Sequence, residues 1–202
     1  MGGDTHEARP LHLVIKPLER VITLALRLGR WLATIAIGLM VIVILTQVFF
    51  RYVLNNALPW PDEAARFLML WMTGLMAPSA YRWGGFVSID MFRDMLGRRV
   101  GLIFNLCLLV VAMAVLTVAL QLGLKHIKSG WLFNSSSLRL PLDLVGGESV
   151  RVKLAWMYMS LYVGFVAMAV VNVEMILKNL HMLFDPDADY GDVPDQVVMS
   201  AE

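Results

Sequence analysis

Four stretches of this chain carry no Asp, Glu, Lys or Arg: Trp31 to Phe50, Phe67 to Tyr81, Val100 to Leu124 and Leu154 to Val173. A helix rising about 1.5 Å per residue needs about 20 apolar residues to cross a hydrocarbon core of about 30 Å. Three of the stretches reach that length unaided. The second has 15 residues, but a helix opened at Pro61 still ends at Tyr81 and is then long enough. Proline has no N–H to lose at a first helical position, and Asp62 and Glu63 in the first turn face the positive end of the helix dipole. The pattern predicts an all-α membrane protein with four transmembrane helices plus amphipathic interfacial helices at their margins.

Ahead of the first stretch, Leu18, Val21, Ile22, Ala25, Leu28 and Leu32 follow helical spacing, while Glu19, Arg20, Thr23, Arg27 and Arg30 fill the other face. This predicts a basic amphipathic helix lying at the membrane surface before the chain turns inward; the alternative is a plain extension of the first span. The first stretch ends in Phe49, Phe50 and Arg51 without a small-residue cleavage site, so it reads as a retained span and not a secretory signal. Between the second and third spans, Val87 to Leu96 predicts a short interfacial helix containing Asp90. Ser129 to Gly147, with its Ser, Gly and Pro141, reads as a loop. In the second span Pro78 cannot donate to the Gly74 carbonyl, which predicts a bend. The organisation expected is an N-terminal segment 1–30, a transmembrane domain 31–173 and an acidic tail 174–202, disordered beyond 185.

Composition narrows the class. Hydrophobic residues make up 58% of the 202 and charged ones only 16%, with 17 Lys and Arg against 16 Asp and Glu. A net charge of +1 excludes a nucleic-acid binder, which needs a basic excess, and the single cysteine, Cys107, excludes a disulfide scaffold. His6, His12, His126 and His181 all fall outside the four stretches, so axial haem ligation inside the bundle is not expected. No cofactor, metal or catalytic group is expected. Within the stretches the polar residues are neutral: Thr46, Gln47, Thr73, Ser79, Asn105, Thr117, Gln121, Ser160 and Asn172. They predict interhelical hydrogen bonds and offer no coupling-ion site. The two halves do not read as inverted copies, which argues against a self-contained transporter.

Lys16, Arg20, Arg27 and Arg30 precede the first span and Arg82, Arg93, Arg98 and Arg99 lie between the second and third, which predicts both termini in the cytoplasm. The opposite face then holds Gln47, Arg51, the Asn55-Asn56 turn, Trp60, Asp62, Glu63 and Arg66. Gln47 and Arg51 share a helix face, and a tight hairpin sets Arg51 opposite Glu63, predicting an ion pair.

The residues Gln47, Phe50-Arg51-Tyr52-Val53, Asn55, Trp60, Asp62-Glu63, Arg66, Trp71, Ala80-Tyr81-Arg82, Gly84 and Val87 to Asp90 resemble the small membrane subunit, a Q-type small permease, of tripartite ATP-independent periplasmic (TRAP) transporters. Ser129 and Leu138 to Pro141 add to the likeness, which covers roughly residues 30 to 175. Phe86 stands where such proteins often carry histidine, and the loop from Leu142 to Lys153 is longer than usual. The resemblance implies a multi-pass bacterial inner-membrane protein that scaffolds a large permease subunit. That partner would perform ion-gradient-driven uptake of an organic acid delivered by a periplasmic binding protein. It further implies that Arg51, Trp60, Asp62, Glu63 and Arg66 shape the periplasmic rim, while Arg82 and Asp90 fix the interfacial helix on the other side. The competing classes are a cofactor-free membrane anchor of a redox complex and a small autonomous exporter.

Overall fold

A computed structural model of the chain describes residues 8–83, 98–140 and 150–184. Asp90, the interfacial segment Val87 to Leu96 and the tail beyond 184 lie outside the described residues. Four helices and two strands are present among them: α1 (Ala8–Tyr52), α2 (Pro61–Arg82), α3 (Arg98–Gly130), β1 (Asn134–Leu140), β2 (Val150–Lys153) and α4 (Ala155–Phe184).

Three helical segments are long and apolar enough to cross a membrane: Pro17–Tyr52, Val100–Gly130 and Ala155–Phe184. The fourth helix, α2, has 22 residues, but Arg66, Thr73, Gly74, Pro78 and Ser79 dilute its apolar run. The segment before the first span is not a separate surface helix. It continues without a break into α1, 45 residues in all, so the plain-extension alternative describes it. Likewise α4 runs on to Phe184 through the charged positions Glu174 and Lys178, because charge does not break a helix and Met175, Ile176, Leu177 and Leu180 keep an apolar stripe going. The loop expected at Ser129 to Gly147 contains strand β1, which pairs antiparallel with β2. The all-α class stands on the four helices, and what the hairpin corrects is the loop reading; the alternation Val150-Arg151-Val152-Lys153 is the period-2 signal that marks it.

The helices pack through narrow seams. On α1 the buried positions are Ile22, Leu26, Gly29, Ala33 and Ala36, spaced four, three, four and three. On α3 Leu102, Leu109 and Leu116 are buried at a spacing of seven, with Gly101 buried beside the first, and Gly123 and Gly130 extend the row. Such spacing keeps one line of a helix facing its neighbours while the rest faces outward. Of the polar residues expected to bond between helices, Thr46, Thr73 and Thr117 instead donate to carbonyls four residues back in their own helices, at 2.8 to 2.9 Å. A threonine hydroxyl reaches its own i−4 carbonyl without any partner helix.

The residues form two compact units. One comprises Arg27–Ala77 and Val118–Val166. Its tightest contact is α2 on α4: a Cβ on Gly74 would collide with the Ser160 carbonyl, and one on Gly164 would lie 2.7 Å from the Gly74 oxygen and 3.0 Å from its Cα. Ser160 and Gly164 are four apart, the small-xxx-small spacing that lets membrane helices touch backbone to backbone. The Gly74 oxygen at that contact is the one Pro78 leaves without its helical donor. The tyrosines of α4 then close on α3, with Tyr162 against Gly123 and Tyr158 against Gly130.

The other unit comprises Met1–Leu26, Pro78–Thr117 and Ala167–Glu202. Its apolar centre is Ile22, Leu26, Tyr81 and Val171, with Leu18, Met168 and Met175 packed against it.

Candidate functional site

Two polar constellations stand out, one in each unit. The first is at the start of α2. Pro61 is buried at the first helical position, and Asn55, with φ of 49°, turns the chain out of α1 in the left-handed region that asparagine tolerates. The first turn of α2 thereby sets Glu63 against β1. The register of β1 on β2 slips between Asn134 and Arg139, and the bulged residues Ser135 to Leu138 direct their donors away from the ladder. Glu63 receives them: its Oε2 accepts from the Ser137 amide at 2.8 Å, the Ser137 hydroxyl at 2.5 Å, the Leu138 amide at 3.1 Å and the Ser136 hydroxyl at 3.3 Å. The Leu138 amide also donates to the Ser135 hydroxyl at 2.8 Å.

Partial burial pushes the Glu63 carboxyl up, but the hydroxyls and amides of the bulge outweigh it and hold the group at about 2, below its ordinary 4.5. The expected Arg51 to Glu63 ion pair is therefore not formed. Four directed donors already surround the carboxylate, and Arg51 lies exposed with its guanidinium 5.7 Å from the Tyr52 ring centre. Because the folded value is depressed, the lock contributes fully above the unfolded value of 4.5 and is lost as pH falls through about 2. Glu63→Gln should speed hydrogen exchange at the Ser137 and Leu138 amides about ten-fold or more at neutral pH, by removing charge-assisted bonds. Unchanged protection of these two amides would show that the bulge holds itself.

Beside this lock, Pro59, Trp60, Ser136 and Ser137 line a shallow cleft of about 370 Å³. Asp62 and Arg66 are exposed, and Gln47 is half-buried on α1. The structure thus brings Trp60 and Glu63 together beside the β1 bulge, while Arg51, Asp62 and Arg66 are exposed.

The second constellation is buried. Arg82, at the end of α2, donates from Nη2 to Glu174 Oε1 at 2.7 Å and from Nη1 to Thr23 Oγ1 at 2.7 Å. Lys178 Nζ reaches the same Glu174 oxygen at 2.9 Å and Glu19 Oε1 at 2.8 Å, and Glu19 also lies 3.7 Å from Arg82. Side-chain exposure is 4% for Arg82 and 1% for Glu174. Two carboxylates and two cations make a neutral clamp joining α1, α2 and α4. Adjacent to it, the Tyr81 hydroxyl donates to Asn172 Oδ1 at 2.8 Å, and Asn172 Nδ2 donates to the Leu109 carbonyl at 3.0 Å. This second link joins α2, α4 and α3, and Asn172 does bond between helices as its position in the fourth stretch suggested.

Arg82 is the clamp residue that the sequence marks as a candidate, and among the described residues it bonds to α1 and α4; the interfacial segment lies outside them. Glu174 and Lys178 escaped notice because they follow Val173, where the uncharged run stops. The signal was their i, i+4 spacing within a stripe that stays apolar to Leu183. No group of three or more metal-binding side chains occurs among the described residues. What the clamp can do chemically is crosslink helices: Glu19 Oε1 and Glu174 Oε1 are both engaged by the chain's own cations.

The family model of the DctQ component of tripartite ATP-independent periplasmic transporters matches residues 40–182, a span that includes Gly74, Tyr81, Arg82, Gly164, Asn172, Glu174, Lys178 and Glu63. The sialic acid TRAP transporter small permease protein SiaQ of Vibrio cholerae is 24% identical over 191 residues, covering 95% of this chain and 98% of that protein. The match over more than two thirds of the chain, on helices crosslinked by their own charges, shows that the chain belongs to the DctQ family, the small permease component of TRAP transporters.

Proposed function

We propose that this small permease is a static scaffold in which all four helices cross the bilayer, α2 included, with both termini on the cytoplasmic face. α2 spans with its uncharged run 67–81 and the alanines before it, leaving Pro61 to Glu63 in the outer interface. Its 22 residues correspond to about 33 Å of helix, and its backbone contact with α4 compensates for its weaker apolar character. The Lys and Arg bias of the N-terminal flank supports the orientation.

The observation that carries the scaffold reading is Glu174. A carboxylate this buried in a membrane protein is a default candidate for a moving ion, yet its Oε1 is held by Arg82 and Lys178 together. A group committed to two cations on two helices is built to hold and not to cycle. As a component of a transporter the chain has no catalytic role, and TRAP transporters pair such a subunit with a large permease and a periplasmic binding protein. The bilayer of the inner membrane and the large permease cover the outward faces, and the rim formed by Trp60, Glu63 and the β1 bulge faces the periplasm, where the binding protein delivers an organic acid.

Proteoliposomes containing the large permease should take up substrate from the loaded binding protein only when this chain is present. The chain alone should give none; uptake by the chain alone would sink the scaffold reading. Trp60→Ala should lower uptake several-fold while leaving pull-down of the large permease intact, since a rim aromatic acts on an incoming partner and not on helix packing.

A further inference from the structure

One face of α1 is used neither by the clamp nor by the rim. Arg27, Arg30, Trp31, Thr34 and Ile35 line a groove there of about 430 Å³. Positions 27, 30, 31 and 34 share a side of the helix by their i, i+3, i+4 and i+7 spacing. The groove sits where α1 changes character, since Arg30 is the last charged residue before the uncharged run that opens at Trp31. Trp31 is 69% exposed, and the exposed aliphatic residues Ile35, Leu39 and Ile42 continue the same track along the helix.

The donors available are specific. Thr34 gives its hydroxyl to the Arg30 carbonyl at 3.0 Å, which leaves the two guanidiniums and the Trp31 indole N–H. Arg27 and Arg30 each engage another group of the chain as well, but a guanidinium carries five N–H donors in a planar fork and serves more than one acceptor. Two like charges three residues apart on one helix also repel, and an anion between them relieves that cost.

A phosphodiester satisfies paired guanidiniums, an indole edge suits the polar boundary of a bilayer, and the aliphatic track takes an alkyl chain. We infer that this groove binds an anionic phospholipid of the leaflet nearest the N-terminus, its phosphate held between Arg27 and Arg30, its glycerol edge at Trp31 and an acyl chain along Ile35, Leu39 and Ile42. The inference needs α1 to enter the membrane at Trp31. It depends neither on which face is cytoplasmic nor on the scaffold role.

The test is native mass spectrometry of the full chain, co-purified with its large permease, delipidated and then offered phosphatidylglycerol, phosphatidylethanolamine or inorganic phosphate at matched concentrations. Phosphatidylglycerol should be retained about ten-fold over phosphatidylethanolamine, as two arginines at a membrane surface warrant, and inorganic phosphate should not displace it. Arg27→Gln with Arg30→Gln should bring that preference to within about two-fold, and Arg27→Lys with Arg30→Lys should keep part of it and serve as the folding control. Equal retention by wild type and the glutamine variant would overturn the inference in favour of unspecific snorkelling. Full displacement by inorganic phosphate would overturn it in favour of a soluble-anion site.

Discussion

Glu174→Ala is expected to be the most damaging single change away from the glycines, costing about 3 kcal/mol, because it strands the buried Arg82 guanidinium beside the partly buried Lys178. Glu174 Oε1 is the atom on which Arg82 and Lys178 converge, at 2.7 and 2.9 Å. Without it, Arg82 keeps only the Thr23 hydroxyl and a Glu19 carboxylate that lies 3.7 Å away and is 26% exposed. The readout is the amount of small permease in the membrane and its melting temperature in detergent, each compared with wild type. Replacing Arg82 and Glu174 together by methionine should recover much of the loss, since a buried ion pair exchanged for apolar side chains of similar bulk is often neutral. If the double variant is as damaged as the sum of the two single ones, the pair acts independently and the clamp reading fails. Arg82 would then matter through Thr23 or through packing alone.

Gly164→Leu is expected to separate α2 from α4. Even a bare Cβ at 164 would lie 2.7 Å from the Gly74 oxygen and 3.0 Å from its Cα, and the obstacle is main chain, which cannot swing aside as a side chain does. Overpacking a close contact costs about 1–3 kcal/mol when the surroundings can give, and here they give least, so the upper end or beyond is expected. Gly38 supplies the control, because a Cβ there meets nothing within 4 Å. Gly38→Leu should therefore stay within about 0.5 kcal/mol of wild type. Pull-down of the large permease and melting in detergent should fall together for Gly164→Leu and for neither readout in Gly38→Leu. Matching behaviour of the two variants would mean that the crossing of α2 and α4 does not depend on backbone contact.

Why the helices were legible and the clamp was not has one cause. Runs without charge mark where a helix must be apolar, and the four stretches fall inside α1, α2, α3 and α4 but for Leu154, one residue ahead of α4; Pro61 even marks the first residue of α2. The same rule equates charge with departure from the bilayer, and so it cut α4 short at Val173, eleven residues before its end. Glu174 stays in the helix because its charge is answered from α2, ninety-two positions away in the chain. No local pattern encodes that partner. At the rim the closeness of Arg51 and Glu63 followed from the hairpin, but the choice of partner did not. It depends on a bulge in β1 whose donors become available only through a slipped register with β2. The hairpin itself is hidden by the Asn and Ser content of its first strand, which in composition alone reads as loop.

The one-in-seven seam of α3 has a consequence for how the subunit can be studied. Leu102, Leu109 and Leu116 are buried along one line of the helix, and the exposed positions between them answer to whatever surrounds it. Cys107, the only cysteine in the chain, is exposed on that helix. A polarity-sensitive dye attached to it would be a reporter of the neighbourhood, written into the natural sequence. Its emission would distinguish acyl chains from protein at that depth without a single engineered substitution.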